Sequence, residues 1–561
     1  MKEYFVCSAL AVFCFYTLVP LCYFPDVFQV SEAREGVVVQ EIVRTGNHLL
    51  PLRHGTIVPS KPPLFHWLGS LGSGLADLSP ELFLRLPSLL AACCLVFLLT
   101  LFCFRLAGLN SALLAAGLML GSWSFIRLAT DGRVDMLFVF LLSVSVLSWS
   151  RVQSNKASFV MLVVSGFSAG LATLAKGPLG LVLPGLIFFV ANCFSGDRLN
   201  LQWFRSAFIW LVLALLACLP WYFQAWLIGG QPFLDRVFFE NATRLSGGEG
   251  ISSKPSYYYL KHLFIQLGLV SIPALALISV WLKNCLGQQA VSTKVNKVDK
   301  NTITLMISWI VMPLIVFSLA SGKRRGYLLT LLPPVVVLTS VFLPTYLKEL
   351  KKSKMAKLSS QSAYGLWCLI FIFLLITISS SYLPFKGEVA LYLTALEQAF
   401  LENSLFFKLA LFFSTTLLIL TCFFQLSEKI KIFSALIPLW IVLVFILPFA
   451  MSAKSYTHSY KDFAREIKSL KLGEEALFFM KEPWVESYES LFFYFPQRVQ
   501  LADPNQTPDA PGYYLIGLID YQKLFSEENL KSKIIAKGGR LTDQPNEALV
   551  LLDNTSSLLK P

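Results

Sequence analysis

The chain has 561 residues, of which 55% are hydrophobic and only 14% charged, and its formal net charge is +13. Soluble domains carry about a quarter charged residues, so this composition excludes an ordinary soluble protein and points to the membrane class. The basic residues sit in short loops between apolar segments rather than on one amphipathic face, which favours membrane topology over nucleic acid as the explanation of the charge.

Lys2 precedes an apolar run from Tyr4 to Phe24. The run is too long for the apolar region of a signal peptide and has no small-x-small cleavage site before Pro25 and Asp26, so a retained first span is expected. Further runs of roughly twenty residues, the length that crosses a bilayer, lie near 82–104, 109–129, 132–150, 157–174, 177–194, 204–226, 260–282, 302–321, 326–347, 364–384, 404–425 and 431–452. This predicts about thirteen spans in a mainly α, polytopic membrane helical bundle, because lipid-facing backbone must be satisfied within each segment and the runs are too long for barrel strands. The eleven cysteines nearly all lie in or beside these runs without CxxC spacing. They read as small buried hydrophobes rather than metal ligands or a disulfide framework.

Alternate loops carry Arg105, then Arg151 and Lys156, Arg198 and Arg205, Lys283, Lys294 and Lys297, the lysines around 348–354, and Lys429 and Lys431. The positive-inside bias makes these loops cytoplasmic. The opposite, outer face then receives the segment 25–81, the turn Thr130 to Asp135, Lys176, the loop 227–259, the turn Ser321 to Tyr327 and the tail. Segment 25–81 alternates short amphipathic stretches with Gly and Pro and reads as helices lying on the interface. A transmembrane domain over 1–452 is expected to be followed by a small soluble α/β domain over 453–561. There, Tyr460 to Leu472 has helical spacing, and Ala476–Met480, Arg498–Ala502, Tyr513–Ile519 and Ala548–Leu552 read as strands.

Five places on the expected outer face could carry chemistry, since ionisable groups at membrane depth are costly. Glu32 and Arg34 follow the first span and could align a phosphate or activate a hydroxyl, and Lys61 is held rigidly before two prolines; lipid headgroups are the plain alternative. Asp135 opens a span, where the helix dipole favours a carboxylate, so a simple cap is the rival role. Lys176-Gly177-Pro178 reads as another helix start, where a cation stands against the dipole and invites an anionic ligand. Glu240 and Arg244 are spaced to pair with each other, and the tyrosines at 257–259 have the position of interfacial anchors. Lys323, Arg324 and Arg325 are adjacent cations on the side that should lack them, for which a phosphate or pyrophosphate is the simplest partner.

Taken in order, these motifs resemble those of the lipid A aminoarabinose transferase and protein O-mannosyltransferase superfamily, the polyprenyl-phosphate-dependent GT-C glycosyltransferases. The resemblance covers most of residues 1–345. Glu32-Ala-Arg34 looks like the acidic-x-Arg stretch after the first span, Ser60-Lys61-Pro62-Pro63 like the Glu-Lys-Pro motif, and Asp135 like the second acidic position. Lys176-Gly177 looks like the Lys-Gly turn, Glu240 to Arg244 like the Glu-His-x-x-Arg stretch, and Ser321 to Tyr327 like the Ser-x-x-Lys…Tyr turn.

The resemblance implies a GT-C fold in the bacterial inner membrane, with a cavity opening to the periplasm where sugar leaves a polyprenyl-phosphate donor with inversion. Glu32 and Asp135 are the candidate acids or bases. Lys61, Lys176, Arg244, Lys323, Arg324 and Tyr327 are the candidates for holding donor phosphate, and Arg34, Ser60, Glu240, Asn241 and Tyr258 for other substrate contacts. The acceptor is a lipid or glycan of the envelope such as lipid A or lipopolysaccharide, with a monomer among membrane lipids as the working state. A divalent metal is possible in the superfamily, but Ser60 and Asn241 occupy the usual ligand positions and are poor ligands. The aspartate usual upstream of the Glu-Ala-Arg stretch is also missing, which leaves Glu32 or Asp135 as base for an alcohol acceptor. A protein O-glycosyltransferase, a lipid transporter or flippase, a non-catalytic scaffold and an inactive relative are the competing readings.

Overall fold

The computed structural model describes residues 1–55, 61–72, 79–153, 159–195, 200–246, 254–271, 274–275, 278, 300–350, 447–472, 477–480, 488–495, 499–503, 511–524, 534–540 and 548–555. In chain order the helices are α1 (Lys2–Tyr23), α2 (Val30–Thr45), α3 (Leu64–Gly72), α4 (Pro80–Ala107), α5 (Leu109–Leu120), α6 (Trp123–Ala129), α7 (Val134–Gln153), α8 (Phe159–Lys176), α9 (Leu179–Ser195), α10 (Leu201–Ser246), α11 (Tyr258–Leu267) and α12 (Lys300–Leu319). A 3-10 turn at Arg325–Leu331 leads into α13 (Leu332–Leu350), followed by α14 (Leu447–His458), α15 (Lys461–Ser469), α16 (Glu489–Tyr494) and α17 (Leu518–Leu524). The strands are β1 (Leu477–Met480), β2 (Val499–Leu501), β3 (Tyr513–Gly517), β4 (Ile534–Gly538) and β5 (Leu549–Asp553).

Among the described residues, seven helices are long and apolar enough to cross a membrane, or eight if the bent pair α5 and α6 is one span. The expected spans 364–384 and 404–425 lie outside the described residues, as does most of 431–452 and the later part of 260–282. The run 109–129, expected as one straight span, is broken by 71° between Leu120 and Trp123. Ser122 is extended there, and its hydroxyl donates to the Gln266 carbonyl at 3.1 Å. Gly268, at φ +59°, packs against the break so tightly that a Cβ would lie 2.6 Å from the Gly121 carbonyl oxygen. In α10 the helix runs on beyond the expected span 204–226 as far as Ser246, with a kink at Gly230 (φ 56°), so residues 227–246 of the expected loop are helical.

The chain divides into two units. The first comprises Met1–Val19, Ser60–Gly69 and Arg85–Gln361. Within it, α8 presents Gly166 and Gly170 to α10: a Cβ at Gly166 would lie 2.8 Å from the Trp210 carbonyl oxygen, and one at Gly170 would collide with the Ala214 carbonyl. Small residues four apart let two membrane helices touch through their backbones, where dispersion rather than the hydrophobic effect drives association. A polar link joins α7 to α8, with the Ser165 hydroxyl donating to the Ser145 carbonyl at 2.8 Å.

The second unit comprises Pro20–Pro59, Ser70–Leu84 and Ser362–Pro561. Its five strands are ordered β2-β1-β3-β5-β4, with β1 parallel to β2 and β3, and β5 antiparallel to β3 and β4. Alternate residues bury on opposite faces: Met480, Tyr514, Ile516, Val550 and Leu552 form a core with Tyr521, while Phe479 points to Phe492 and Tyr488, with ring centroids 5.1 and 5.2 Å away. Four of these strands and α15 fall where the alternation and helical spacing predict them; β4, α16 and α17 add to the pattern. In the same unit α2 packs on α16 through Gly36, where a Cβ would lie 2.5 Å from the Phe493 ring. Buried Glu489 on α16 holds Arg53 at 3.2 Å and His54 at 3.3 Å.

A second, half-buried charge cluster in this unit joins the segment after α1 to α15. Lys461 lies 2.8 Å from Asp26 and 2.5 Å from Glu81, and the Tyr494 hydroxyl donates to Glu81 at 3.0 Å. Burial pushes the Asp26 carboxyl above its ordinary value, outweighing the attraction of Lys461. For Lys461, burial pulls the other way, but Asp26 and Glu81 overcome it and raise the ammonium above its ordinary 10.5.

Candidate active site

The first unit gathers its buried charges at the mouths of α7 and α8. Asp131 and Arg133 sit in the turn before α7, whose Arg133 carbonyl accepts from Ser88 of α4 at 3.0 Å. Asp135 stands in the first turn of α7, where unpaired helix N–H groups and the dipole favour an anion. Lys176 differs from its expected position: it closes α8 rather than opening the next helix. Gly177 follows in the left-handed region at φ +83°, and its N–H donates to the Thr173 carbonyl at 2.7 Å. The order Lys-Gly-Pro is therefore a helix stop, with a cation on the favourable negative end of the dipole.

The Lys176 ammonium reaches Asp135 Oδ1 at 2.5 Å, while Arg133 reaches Asp135 Oδ2 at 3.1 Å and Asp131 at 3.6 Å. The side chains of Lys176 and Asp135 are only 4% and 5% exposed, so each depends on the other for compensation of its desolvated charge. Two aromatic faces complete the setting of the ammonium, Phe138 at 5.0 Å and Tyr327 at 4.6 Å. Lys61 also acts electrostatically on Asp135. Lys61, Asp135, Lys176 and Tyr327 are thus drawn into one neighbourhood.

Tyr327 is buried in the 3-10 turn, with its ring 4.8 Å from Phe317 of α12. The preceding Lys323 is also buried; its ammonium donates to the backbone carbonyls of Lys254 at 3.0 Å and Ala320 at 2.6 Å. Arg324 is exposed on the turn, and its backbone N–H donates to the Tyr259 hydroxyl at 3.3 Å. Burial raises the Tyr259 phenol above its ordinary value, with the Arg324 N–H opposing. Tyr258 stacks edge-on against His262 at 4.6 Å.

The remaining candidates lie elsewhere or outside the description. Glu32 and Arg34 belong to α2 of the second unit, Glu32 buried in the first turn and Arg34 lying 3.7 Å from Glu35. The backbones of Glu240, Asn241 and Arg244 belong to α10, but their side chains, and Ser60 altogether, lie outside the described residues. Among the described residues no three His, Cys, Asp or Glu side chains converge as metal ligands. The site residues expected from sequence do not include Arg133, Phe138, Lys254 or Tyr259. Arg133 carried a signal, being two residues before Asp135 on a turn at membrane depth; Phe138 and Tyr259 look like any other membrane aromatics until the fold places them.

The family described as Dolichyl-phosphate-mannose-protein mannosyltransferase matches residues 60–223. An uncharacterized protein of Aquifex aeolicus is 24% identical over 77% of this chain and 78% of its own length. The undecaprenyl phosphate-alpha-4-amino-4-deoxy-L-arabinose arabinosyl transferase 1 of Pseudomonas fluorescens is 27% identical over 55% of this chain; the chain thus spans only 54% of that relative's length. The crystal structure of ArnT from Cupriavidus metallidurans bound to undecaprenyl phosphate shares the fold, with a TM-score of 0.71 over 99% of this chain and 98% of that one at 15% identity. Apolar helices, ordered motifs, the matching segment and the shared fold make this chain a polytopic membrane protein similar to the lipid A aminoarabinose transferase and protein O-mannosyltransferase superfamily of GT-C glycosyltransferases.

Proposed function

We propose that the protein is an inverting glycosyltransferase that moves a sugar from a polyprenyl-phosphate donor to a lipid or glycan acceptor of the cell envelope, lipid A or lipopolysaccharide being the foremost class. The active face and the tail are assigned to the periplasmic side of the inner membrane, and the full chain to about thirteen spans. The observation that carries this reading is the buried Lys176–Asp135–Arg133 centre beneath Tyr327, inside and beside the segment that resembles the mannosyltransferases.

In the reaction an acceptor oxygen attacks the anomeric carbon from the face opposite the phosphate, and the bond from that carbon to the phosphate oxygen breaks. The departing phosphate keeps the electron pair, so fixed cations lower the barrier by meeting charge as it develops. Lys61 is assigned to that phosphate, with the side chain of Arg244 as its expected companion. Both Asp135 oxygens are committed to cations, which suits it to holding Lys176 in place rather than to taking a proton. Glu32 is left as the base for an alcohol acceptor, whereas an already ionised phosphate acceptor needs none.

Mass spectrometry of lipid A, lipopolysaccharide and envelope glycoproteins from a deletion strain tests this reading. One sugar mass should disappear and return with the wild-type copy but not with Lys61→Ala. Unchanged glycans in every strain would refute the assignment.

A further inference from the structure

Buried ammonium groups in this protein are compensated in two different ways. Lys176 has a carboxylate at 2.5 Å, so its charge is already met. Lys323 is only 5% exposed, yet its ammonium contacts nothing more anionic than the carbonyls of Lys254 and Ala320, at 3.0 and 2.6 Å. Lys254 reciprocates: its ammonium donates to the Lys323 carbonyl at 3.1 Å and lies 4.8 Å from the centre of the Tyr258 ring. Neither lysine has a carboxylate ion pair among the described residues. Two side chains therefore cross, each capping the other's backbone, and bring two uncompensated positive charges to one place.

Carbonyl dipoles are a weak substitute for a counter-charge in a desolvated setting. Charge-assisted bonds to a phosphate oxygen are shorter and about twice as strong as those between neutral partners, so an anionic ligand would complete what the carbonyls leave unfinished. Other cations add to the field here, since Lys254, Lys261 and Arg325 all act on His262. The crossing is also joined to the Asp135 centre by a short stretch of chain. The turn that begins with Lys323 delivers Tyr327 onto Lys176 at 4.6 Å, and the Arg324 N–H ties that turn to Tyr259 at 3.3 Å.

We propose that Lys254 and Lys323 form a two-lysine subsite for a lipid-borne phosphate, with Lys254 contacting the phosphate of the lipid-linked donor. The assignment rests on the glycosyltransferase reading above. It places the uncompensated charge of the site at this crossing, while Lys176 serves Asp135.

The test is binding of undecaprenyl phosphate, undecaprenol and phosphatidylglycerol to the purified full-length protein, followed by intrinsic fluorescence, with thermal unfolding measured on the same samples. Lys254→Gln keeps a neutral donor for the Lys323 carbonyl and removes only the charge, and Lys254→Arg restores the charge. Wild type should bind undecaprenyl phosphate more tightly than undecaprenol. Lys254→Gln should weaken the phosphate lipid by about tenfold or more, the worth of a hydrogen bond to a charged group, leave undecaprenol unchanged, and be rescued by Lys254→Arg. Equal binding of undecaprenyl phosphate by Lys254→Gln and wild type would overturn the subsite, as would a loss confined to phosphatidylglycerol. If Lys254→Gln unfolds early, Lys323→Gln compared with wild type and with Lys254→Arg decides, equal affinity of Lys323→Gln and wild type being the overturning result. Folded wild type that binds no undecaprenyl phosphate would overturn the donor reading itself, and this subsite with it.

Discussion

Lys176→Met removes the ammonium that sits 2.5 Å from Asp135 Oδ1 in a pair whose side chains are 4% and 5% exposed. Breaking a buried ion pair from one side costs roughly 3–5 kcal/mol, because the surviving charge stays desolvated. Arg133 still lies 3.1 Å from the other Asp135 oxygen, so the expected cost is near the lower end, about 3 kcal/mol. Asp135→Asn strands the lysine instead, but the ammonium keeps the faces of Phe138 at 5.0 Å and Tyr327 at 4.6 Å. A desolvated cation–π contact is worth up to about 2 kcal/mol, so part of that loss is offset. The double variant removes both charges together and should cost less than the sum of the singles, with a coupling of about 1–3 kcal/mol. Equilibrium unfolding of all four proteins in mixed micelles, followed by tryptophan fluorescence, measures that coupling. Single effects that add to within about 0.5 kcal/mol would refute a mutual dependence of the two charges.

Glycine substitutions in neighbouring helices should have opposite signs. Gly170→Ala puts a methyl group into the Ala214 backbone and 2.6 Å from Ala217 Cβ, and overpacking of this kind costs about 1–3 kcal/mol. Gly185→Ala meets only the Trp210 ring at 3.9 Å, so it should be neutral or gain up to about 1 kcal/mol of helix propensity; the same unfolding assay compares them. The Asp26–Lys461 contact gives a pH dependence. Lys461 is raised above 10.5 in the fold, so its contribution is present below that value and fades as pH rises through the folded value. Asp26 is raised above 3.8, so its contribution is present at acid pH and is lost as pH rises through its own folded value. Amide exchange over Lys461–Ser469 should therefore speed up at strongly alkaline pH in wild type and lose that alkaline step in Lys461→Met; an identical step in the variant would exclude Lys461 as its source.

Among the described residues, helices were legible where an apolar run is long, since bilayer thickness and the need to satisfy every backbone group leave few alternatives. Strands β1, β2, β3 and β5 were legible from alternation, whereas β4, Ile534–Gly538, was not: it carries Lys537 and Gly538 and only Ala536 is fully buried. Bends were the other loss. Nothing in the composition of 109–129 announces a 71° break, because it depends on Gly268 and Gln266 arriving from elsewhere in the chain.

The candidate site divides along the same line. Residue type and membrane depth alone single out Asp135, Lys176 and Lys323, because charge at that depth is too costly to be incidental, and the family resemblance adds Tyr327. Their roles depend on contacts between residues far apart in sequence. Lys176 becomes the partner of Asp135, forty-one positions away, and Lys323 that of the Lys254 carbonyl, sixty-nine away. The sequence by itself determined the membrane class, most described helices and the order of the motifs, since these follow from local composition and spacing. Only the tertiary structure decided which cations meet a carboxylate and which meet backbone carbonyls alone, because Coulomb attraction and desolvation act through space and take no account of distance along the chain.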